Sequence, residues 1–314
     1  MDPALFFAAS RLVIVAGKGG VGKTTVSGVL ARASARAGRA ATILEVDGKS
    51  GLPGLFDADP LRYEPSELGD GVRGRALTAD DALLEYLADH GLDRVSRRLV
   101  KSGALEVVST AAPGIEDILI LGKVKQLEVA AGDELLVLDA PAAGHAISFL
   151  RAPSALLDTV GGGPIHTQAT EALAMLGDPA RSRVVLVTVP EETPVNELVE
   201  TAYRLEDEVG VALGPIIVNG VQHTSGVPDT DPREAAAAVG ITLSDEDVDA
   251  LTRAAEFGRA RAALQQEQLD RLATALPLPQ IHLPELSALT LGPAEVEVLA
   301  DALLAGLAGL EVTA

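Results

Sequence analysis

One loop near the start of the chain constrains the fold more than any other feature. Residues 17–25 read GKGGVGKTT, which matches the phosphate-loop pattern of a glycine, four residues and then Gly-Lys-Ser/Thr. An apolar run at 12–16 predicts a buried strand before the loop, and a helical stretch at 24–37 follows it and ends at Gly38. Glycines that expose N–H groups next to a helix N-terminus form an anion site. The sequence therefore predicts a nucleoside triphosphate site, with a glycine-rich turn that binds no ligand as the alternative.

The loop residues have separate predicted tasks. Lys23 is expected to reach the β- and γ-phosphates, and the Thr24 hydroxyl is expected to complete a Mg²⁺ coordination shell. Lys18, directly after the first glycine, is typical of a deviant subclass of phosphate loops. That subclass resembles the loops of dimeric ATPases in which this lysine crosses the interface to the partner's nucleotide; a lysine on a solvated loop is the alternative. The residues predicted to enclose the phosphates are Gly17, Gly19, Gly20, Val21, Gly22, Lys23 and Thr24.

The composition excludes several classes of function. The 314 residues include 45 acidic and 25 basic side chains, a net charge of −20, and no basic run. Nucleic acids and anionic membrane surfaces bind positive protein surfaces, so neither is an expected partner. The chain has no cysteine, which excludes disulfides, thiolate zinc sites and iron–sulfur clusters.

The sequence does not predict export or membrane insertion. Residues 1–10 lack the basic segment that opens a signal peptide. No charge-free run of ~18 or more apolar residues predicts a membrane span. We therefore expect a cytoplasmic protein.

Apolar, β-branched runs alternate with longer helical patterns along the chain. This alternation predicts an α/β fold of the P-loop NTPase type, with a mostly parallel sheet flanked by helices. One helix carries clear limits, with Thr193 as N-cap, Pro194 at the first helical position and Gly210 past the end. The predicted strands are 12–16, 41–46, 105–109, 134–138, 183–189, 215–218 and 280–283.

Three stretches interrupt the alternation and are predicted to be helical or irregular insertions, at about 51–104, 146–180 and 222–275. The chain contains one phosphate loop and no internal repeat. We therefore expect residues 1–314 to form a single P-loop ATPase domain with a helical subdomain.

Two carboxylates follow predicted strands. Asp139 ends the strand at 134–138, where a carboxylate lies close to the Mg²⁺ of a nucleotide site. Asp47 ends the neighbouring strand at 41–46 and is predicted to orient the attacking water, which makes it a catalytic candidate beside Lys18 and Lys23. The alternatives are a helix-capping Asp139 and a turn Asp47. Glu45, two residues earlier, is on the same face of its strand as Asp47.

Two further residues at this edge of the sheet are candidates for the nucleotide base. Asn219 ends the strand at 215–218, and its amide can both donate to and accept from adenine. An ordinary strand-to-turn asparagine is the alternative. Pro190 opens the segment PEETP and is predicted to lie near the base or near a dimer face.

Taken together, these segments resemble the arsenical pump-driving ATPases, a family that includes the factors targeting tail-anchored membrane proteins. The segments 17–25, 112–117, 139–145, 188–197 and 217–219 occur in the same order in that family. The segments 45–48, 113–115, 122–125 and 162–166 resemble more narrowly a single-loop actinobacterial branch, often labelled anion-transporting ATPase. The resemblance extends from Leu12 to about Leu304.

The resemblance implies roles for individual residues. Lys18 corresponds to the interface-crossing lysine, Thr25 to an α-phosphate contact, Asp139 to the second switch and Asn219 to the adenine reader. Asp47 stands where the family has Asp-Pro-Ala, but here 48–50 read GKS, a departure that bears on the rate of hydrolysis. The absence of cysteine also departs from the thiol capture and zinc clamp of family members.

Two functions from different classes remain open at this stage. The preferred one is a Mg²⁺-dependent ATPase that acts as a nucleotide-switched dimer and drives or regulates a membrane-protein or anion-transport partner. The alternative is an ATP-binding subunit with little hydrolysis that works only with a paralogous ATPase. A partitioning ATPase with the same loop is disfavoured because residues 299–314 carry two acidic and no basic side chains.

Overall fold

An eight-stranded sheet forms the centre of the computed structural model, which describes residues 1–46, 51–89, 114–141, 143–222 and 230–310. In space the strands run β3-β4-β2-β5-β1-β6-β7-β8, and only β3 pairs antiparallel to its neighbour. The phosphate-loop strand β1 is therefore central, between β5 and β6. The strands are β1 (Leu12–Gly17), β2 (Ala41–Val46), β3 (Ser66–Gly69), β4 (Val72–Leu77), β5 (Leu135–Asp139), β6 (Ser182–Thr188), β7 (Ile216–Val221) and β8 (Gln280–Pro284).

Helices cover both faces of the sheet. Alternate residues of β1 belong to two different cores, with Leu12 and Ile14 in one cluster and Val13 and Val15 in the other. Strands buried on both faces explain why the sequence shows near-continuous apolar runs. The helices are α1 (Pro3–Ala8), α2 (Lys23–Arg36), α3 (Leu52–Leu55), α4 (Ala79–Asp89), α5 (Ile115–Ala130), α6 (Ala143–Leu157), α7 (Pro164–Leu176), α8 (Glu192–Arg204), α9 (Pro232–Ala238), α10 (Asp245–Ala275) and α11 (Pro293–Gly309).

The predicted fold class is confirmed, and most of the predicted strands are present with ends shifted by at most three residues. The predicted strand at 105–109 lies outside the described residues. A single domain over 1–314 stays a prediction. Within the described ranges, no helix is both long enough and apolar enough to cross a membrane.

The prediction that 51–104 is mostly helical or irregular is wrong where β3 and β4 lie. The two strands form a hairpin at the edge of the sheet, closed by Asp70 with φ of +48° and Gly71 with φ of +82°. Asp-Gly is a strong hairpin signal because both residues tolerate positive φ. Two arginines and a glycine within Val72–Leu77 interrupt the apolar pattern that identified the other strands.

The predicted start of the helix after β6 is also wrong. Helix α8 begins at Glu192 with Glu191 as N-cap, so Thr193 and Pro194 lie inside the first turn. The backbone N–H of Val195 donates to the Glu191 oxygen at 3.0 Å, which fixes this earlier start. A π-helical turn, Leu205–Val209, continues α8 and ends at Gly210, as predicted for that glycine.

Candidate active site

The phosphate loop joins the end of β1 to the start of α2. Gly22 is the N-cap residue of α2, and its φ of +91° is in the left-handed region. A Cβ atom on Gly22 would collide with the Asn219 Nδ2 atom, and one on Gly17 would collide with the backbone oxygen of Val187. Both positions therefore require glycine for the loop to pack this closely against β6 and β7. The first N–H groups of α2, which have no partners within the helix, lie at this loop and favour an anion.

Asp139 is held directly against the phosphate loop. The Thr24 hydroxyl donates to Asp139 Oδ2 at 2.7 Å, and the Ser27 hydroxyl donates to Oδ1 at 3.2 Å. Asp139 is the last residue of β5, next to β1, and is buried. A carboxylate and a hydroxyl oxygen at a helix N-terminus are ligands that Mg²⁺ accepts beside phosphate oxygens. The two predicted metal ligands are thus in direct contact.

Glu45 is a second carboxylate beside Asp139. It lies on β2 as the register partner of Asp139 on β5, and its side chain is only 3% exposed. Its Oε1 atom is buried and accepts no hydrogen bond from any residue that the structure describes. Burial and, to a smaller extent, the nearby charge of Asp139 together raise the pKa of Glu45 to about 7. The sequence placed Glu45 on a face of its strand but did not indicate this environment.

The two loop lysines lie in different surroundings. Lys23 Nζ donates to the backbone oxygen of Lys18 at 3.2 Å, which holds the Lys23 side chain across the loop. Lys18 Nζ donates to Glu197 Oε1 of α8 at 2.7 Å, and both side chains are more than one-third exposed. The ammonium of Lys18 therefore has an acidic partner within its own chain.

The base-recognition candidates lie at the same edge of the sheet as the loop. Asn219 Nδ2 donates to the backbone oxygen of Val21 at 3.0 Å, which ties β7 to the phosphate loop. This bond uses one amide N–H, so adenine recognition stays a prediction for the other N–H and for Oδ1. Pro190 is buried two residues past the end of β6. Asp47, with the altered 48–50 segment, lies outside the described residues, and its role stays a prediction.

Comparison with known proteins identifies the family. Residues 10–161 match the family model described as anion-transporting ATPase. The chain is 33% identical over 305 residues to ATPase BagA of Mycobacterium tuberculosis (strain ATCC 25618 / H37Rv), covering 88% of each chain. The chain belongs to the anion-transporting ATPase family. The predicted resemblance is confirmed, and with it the enzyme class: the protein hydrolyses ATP to ADP and phosphate.

More distant members of the family match a smaller share of their length. The chain is 27% identical over 228 residues to a putative arsenical pump-driving ATPase of Halobacterium salinarum (strain ATCC 700922 / JCM 11081 / NRC-1), covering 67% of this chain and 35% of that protein. It is 28% identical over 203 residues to an arsenical pump-driving ATPase of Escherichia coli, covering 62% of this chain and 32% of that protein. This anion-transporting ATPase therefore matches about one-third of the length of each of these two relatives.

Sequence reasoning missed three residues that lie at the candidate nucleotide site of this anion-transporting ATPase. Ser27 and Glu197 come into place only through the packing of α2 and α8, and their sequence neighbourhoods carry no distinguishing signal. Glu45 did carry a signal, because a charged side chain interrupts an otherwise apolar strand. A buried charge needs a partner, so such an interruption points to a site.

Proposed function

We propose that the chain is a Mg²⁺-dependent ATPase that works as a nucleotide-switched dimer and drives or regulates a membrane-protein or anion-transport partner. The observation that carries the proposal is the contact of Thr24 with Asp139 at the N-terminus of α2. Mg²⁺ is commonly held by one or two protein groups together with substrate phosphates. Among the described residues, no group of three or more acidic or histidine side chains could hold a metal alone, which suits such a shared site.

The roles of the nucleotide-contacting residues follow from their positions. The backbone N–H groups of the loop and Lys23 bind the phosphates, Thr25 contacts the α-phosphate, and Thr24 with Asp139 holds Mg²⁺. When bound, Mg²⁺ neutralises the negative charge that grows on the phosphates during transfer. Asp47 orients the attacking water, and Asn219 recognises adenine with Pro190 close by. ATP hydrolysis depends mainly on such positioning and charge stabilisation rather than on proton removal.

Dimerisation gives Lys18 a role that its present contact does not provide. Its ammonium pairs with Glu197 of the same chain. An exposed ion pair of this kind is worth at most about 1 kcal/mol, so a phosphate of the partner's nucleotide can compete for it. We propose that ATP-bound subunits exchange this contact for one across the interface. The site of action is the cytoplasm, where ATP is available.

A second candidate function is an ATP-binding subunit that hydrolyses little alone and works with a paralogous ATPase. Two observations favour it. The residues after Asp47 read Gly-Lys-Ser rather than the family's Pro-Ala pattern. The Lys18 ammonium, which the dimer needs for a second nucleotide, is also paired with Glu197 of its own chain.

Phosphate release across a wide range of protein concentrations, measured with light scattering for mass, separates the two candidates. With ATP and Mg²⁺, a rate that rises more than linearly with protein, together with an ATP-dependent dimer, supports the homodimeric ATPase. Tight ATP binding by a persistent monomer without turnover supports the paralogue-dependent subunit. A chain that binds no ATP contradicts both.

Paired variants test the metal-binding contact within the same assay. Asp139→Asn keeps the side-chain shape but removes the charge, and we expect the Mg²⁺ concentration for half-maximal activity to rise about 10- to 100-fold. Glu134→Gln removes a carboxylate at the opposite end of β5, where Thr42 and Arg73 contact it, and serves as the matched control. Equal Mg²⁺ requirements for wild type and Asp139→Asn would remove Asp139 from the proposed metal site.

A further inference from the structure

Two carboxylates lie side by side at the phosphate loop, and they differ in the hydrogen bonds that they accept from the described residues. Asp139 accepts hydrogen bonds from Thr24 and Ser27 of α2. Glu45, its register partner on β2, has a buried Oε1 that accepts none from any residue in the described part of the chain. The difference in partners is notable because both side chains are nine-tenths or more buried.

Glu45 faces the same side of the sheet as Asp139. Side chains alternate along a strand, and Ile43, two residues before Glu45, belongs to the core cluster beneath α2. Val137, two residues before Asp139, belongs to the same cluster. Both carboxylates therefore lie on the α2 face, at the carboxyl ends of neighbouring strands. Parallel strands are about 4.8 Å apart, so the two groups are close neighbours.

Two buried acidic groups at this spacing repel each other when both are ionised, and a cation between or beside them removes the repulsion. A divalent cation suits the position because the neighbouring carboxylate already contacts the Thr24 hydroxyl. Mg²⁺ keeps several of its waters in proteins, and each such water needs a hydrogen-bond acceptor. The orphaned Oε1 is an acceptor of the required kind.

We propose that Glu45 is a second acidic residue of the divalent-cation site, accepting a hydrogen bond from a metal-bound water beside Asp139. This inference rests on the proposed Mg²⁺-dependent ATPase function and deepens it. Glu45 is then a positioning residue, because it acts on the metal through water rather than on the reacting phosphate. A buried glutamic acid that only fills space in the core is the competing role.

The two roles differ in how ATP binding depends on Mg²⁺. The probe is the ATP affinity of the purified full chain, measured once with excess Mg²⁺ and once with EDTA. The dissociation constant in EDTA divided by that in Mg²⁺ reports how strongly the metal strengthens nucleotide binding. In Glu45→Gln we expect this ratio to fall about tenfold, the loss typical for an outer partner of a metal. Affinity in EDTA should be equal or tighter, because one negative charge beside the phosphates is gone.

Glu134→Gln is the matched control. Glu134 lies at the opposite end of the same strands, where Thr42 of β2 and Arg73 of β4 donate to it. Its loss removes one largely buried carboxylate from the same sheet without touching the nucleotide site. The Mg²⁺ dependence of this variant should equal that of wild type.

Each outcome decides the inference. Wild type that binds no ATP contradicts the proposed function, and the inference fails with it. Wild type that binds ATP with strong Mg²⁺ dependence, alongside an unchanged ratio in Glu45→Gln, overturns the inference alone. If Glu45→Gln fails to fold by circular dichroism, Glu45→Ser repeats the measurement with a smaller polar side chain. If neither variant folds, Glu45 has a structural role in the core, and this result also overturns the inference.

Discussion

Gly22 combines two independent constraints at one position. Its backbone is left-handed, and the space where a side chain would begin is filled by the Asn219 amide. Gly20, two residues earlier, shares only the first constraint: its φ is +86°, but nothing lies within 4 Å of a Cβ atom built on it. The pair therefore separates backbone strain from steric collision within one loop.

We predict that Gly22→Ala lowers the free energy of unfolding more than Gly20→Ala does. A left-handed alanine costs about 1–2 kcal/mol at either position. At Gly22 the collision adds to this cost and displaces Asn219, whose bond to Val21 is then lost. Urea unfolding of both variants measures the difference. Equal losses would show that the loop relaxes freely and that the close approach of β7 is not a constraint.

The sequence predicted the residues of the phosphate loop but not their partners. Gly17 to Thr24 form a local motif, and Asp139 follows its strand by a general rule of parallel sheets, so both could be identified. Ser27 on Asp139 and Glu197 on Lys18 depend on how helices pack on the sheet. Lys18 and Glu197 are 179 positions apart, and no local pattern encodes a contact at that separation.

At the scale of elements, a polar cluster joins α4 to α5. Lys123 of α5 is 9% exposed and donates to Glu85 of α4 at 2.6 Å, and Tyr63 also donates to that carboxylate. Burial alone would raise the pKa of Glu85, but the hydrogen bonds from Lys123 and Tyr63 outweigh it and hold the pKa below its ordinary value of 4.5. A buried ammonium without its carboxylate would be strongly unfavourable.

We predict that Glu85→Gln lowers the free energy of unfolding by about 2 kcal/mol near neutral pH. A depressed carboxyl pKa stabilises the folded state above 4.5, and this contribution is lost as the pH falls through the lower folded value. The difference in the free energy of unfolding between wild type and variant should therefore become smaller as the pH is lowered. Unfolding curves from about pH 7 to about pH 3 test this, with exposed Glu64→Gln as control. A gap that does not change with pH would contradict the assignment.

The contact between the phosphate loop and α8 leads to a prediction about assembly. If the Lys18–Glu197 pair competes with the dimer contact, Glu197→Gln should tighten the ATP-dependent dimer about two- to fivefold, the range of an exposed ion pair. Lys18→Ala should keep ATP binding but lose the steep dependence of hydrolysis on protein concentration. Glu200→Gln, an exposed acid on the same helix, is the control. An unchanged dimer dissociation constant in Glu197→Gln would show that the Lys18–Glu197 pair does not compete with the dimer contact.

Strand prediction succeeded where burial imposes an apolar pattern and failed for the β3–β4 hairpin at one edge of the sheet. β1 and β2 are buried along their whole length, and their sequences are accordingly mostly apolar. β4 carries Arg73 and Arg75, whose charges are accommodated by Glu134 and by the ring of Tyr63. Because those partners come from elsewhere in the chain, the sequence of β4 alone resembles a polar loop.

On the scale of the whole molecule, the charge of −20 opposes self-association. Two copies of this chain repel each other over distances set by the ionic strength, whatever contacts they make on docking. A homodimer must therefore gain enough from ATP-dependent contacts to overcome this repulsion. A partner with a basic surface would instead be attracted.

We predict that the ATP-bound homodimer tightens when NaCl is raised from about 50 mM to about 500 mM, because salt screens the repulsion between copies. Sedimentation at saturating ATP and Mg²⁺ measures the association. Sucrose at matched osmolarity controls for effects of solutes other than ions. Weakening by salt would contradict this prediction, because it would show that attraction between opposite charges at the interface, such as Lys18 and the partner's nucleotide, outweighs the repulsion between subunits.

The central position of β1 has a consequence for the order of events on the ribosome. β1 leaves the tunnel early, yet its two neighbours begin at Leu135 and Ser182, and Asn219 follows later still. At roughly 5–20 residues per second, β1 of a nascent chain is apolar and unpaired for roughly 6 to 24 seconds before β5 has been made. The phosphate loop cannot bind nucleotide in its native form during that time, because the strands that it packs against, β6 and β7, have not yet been made. ATP capture by the emerging chain would thus report that translation has passed β7.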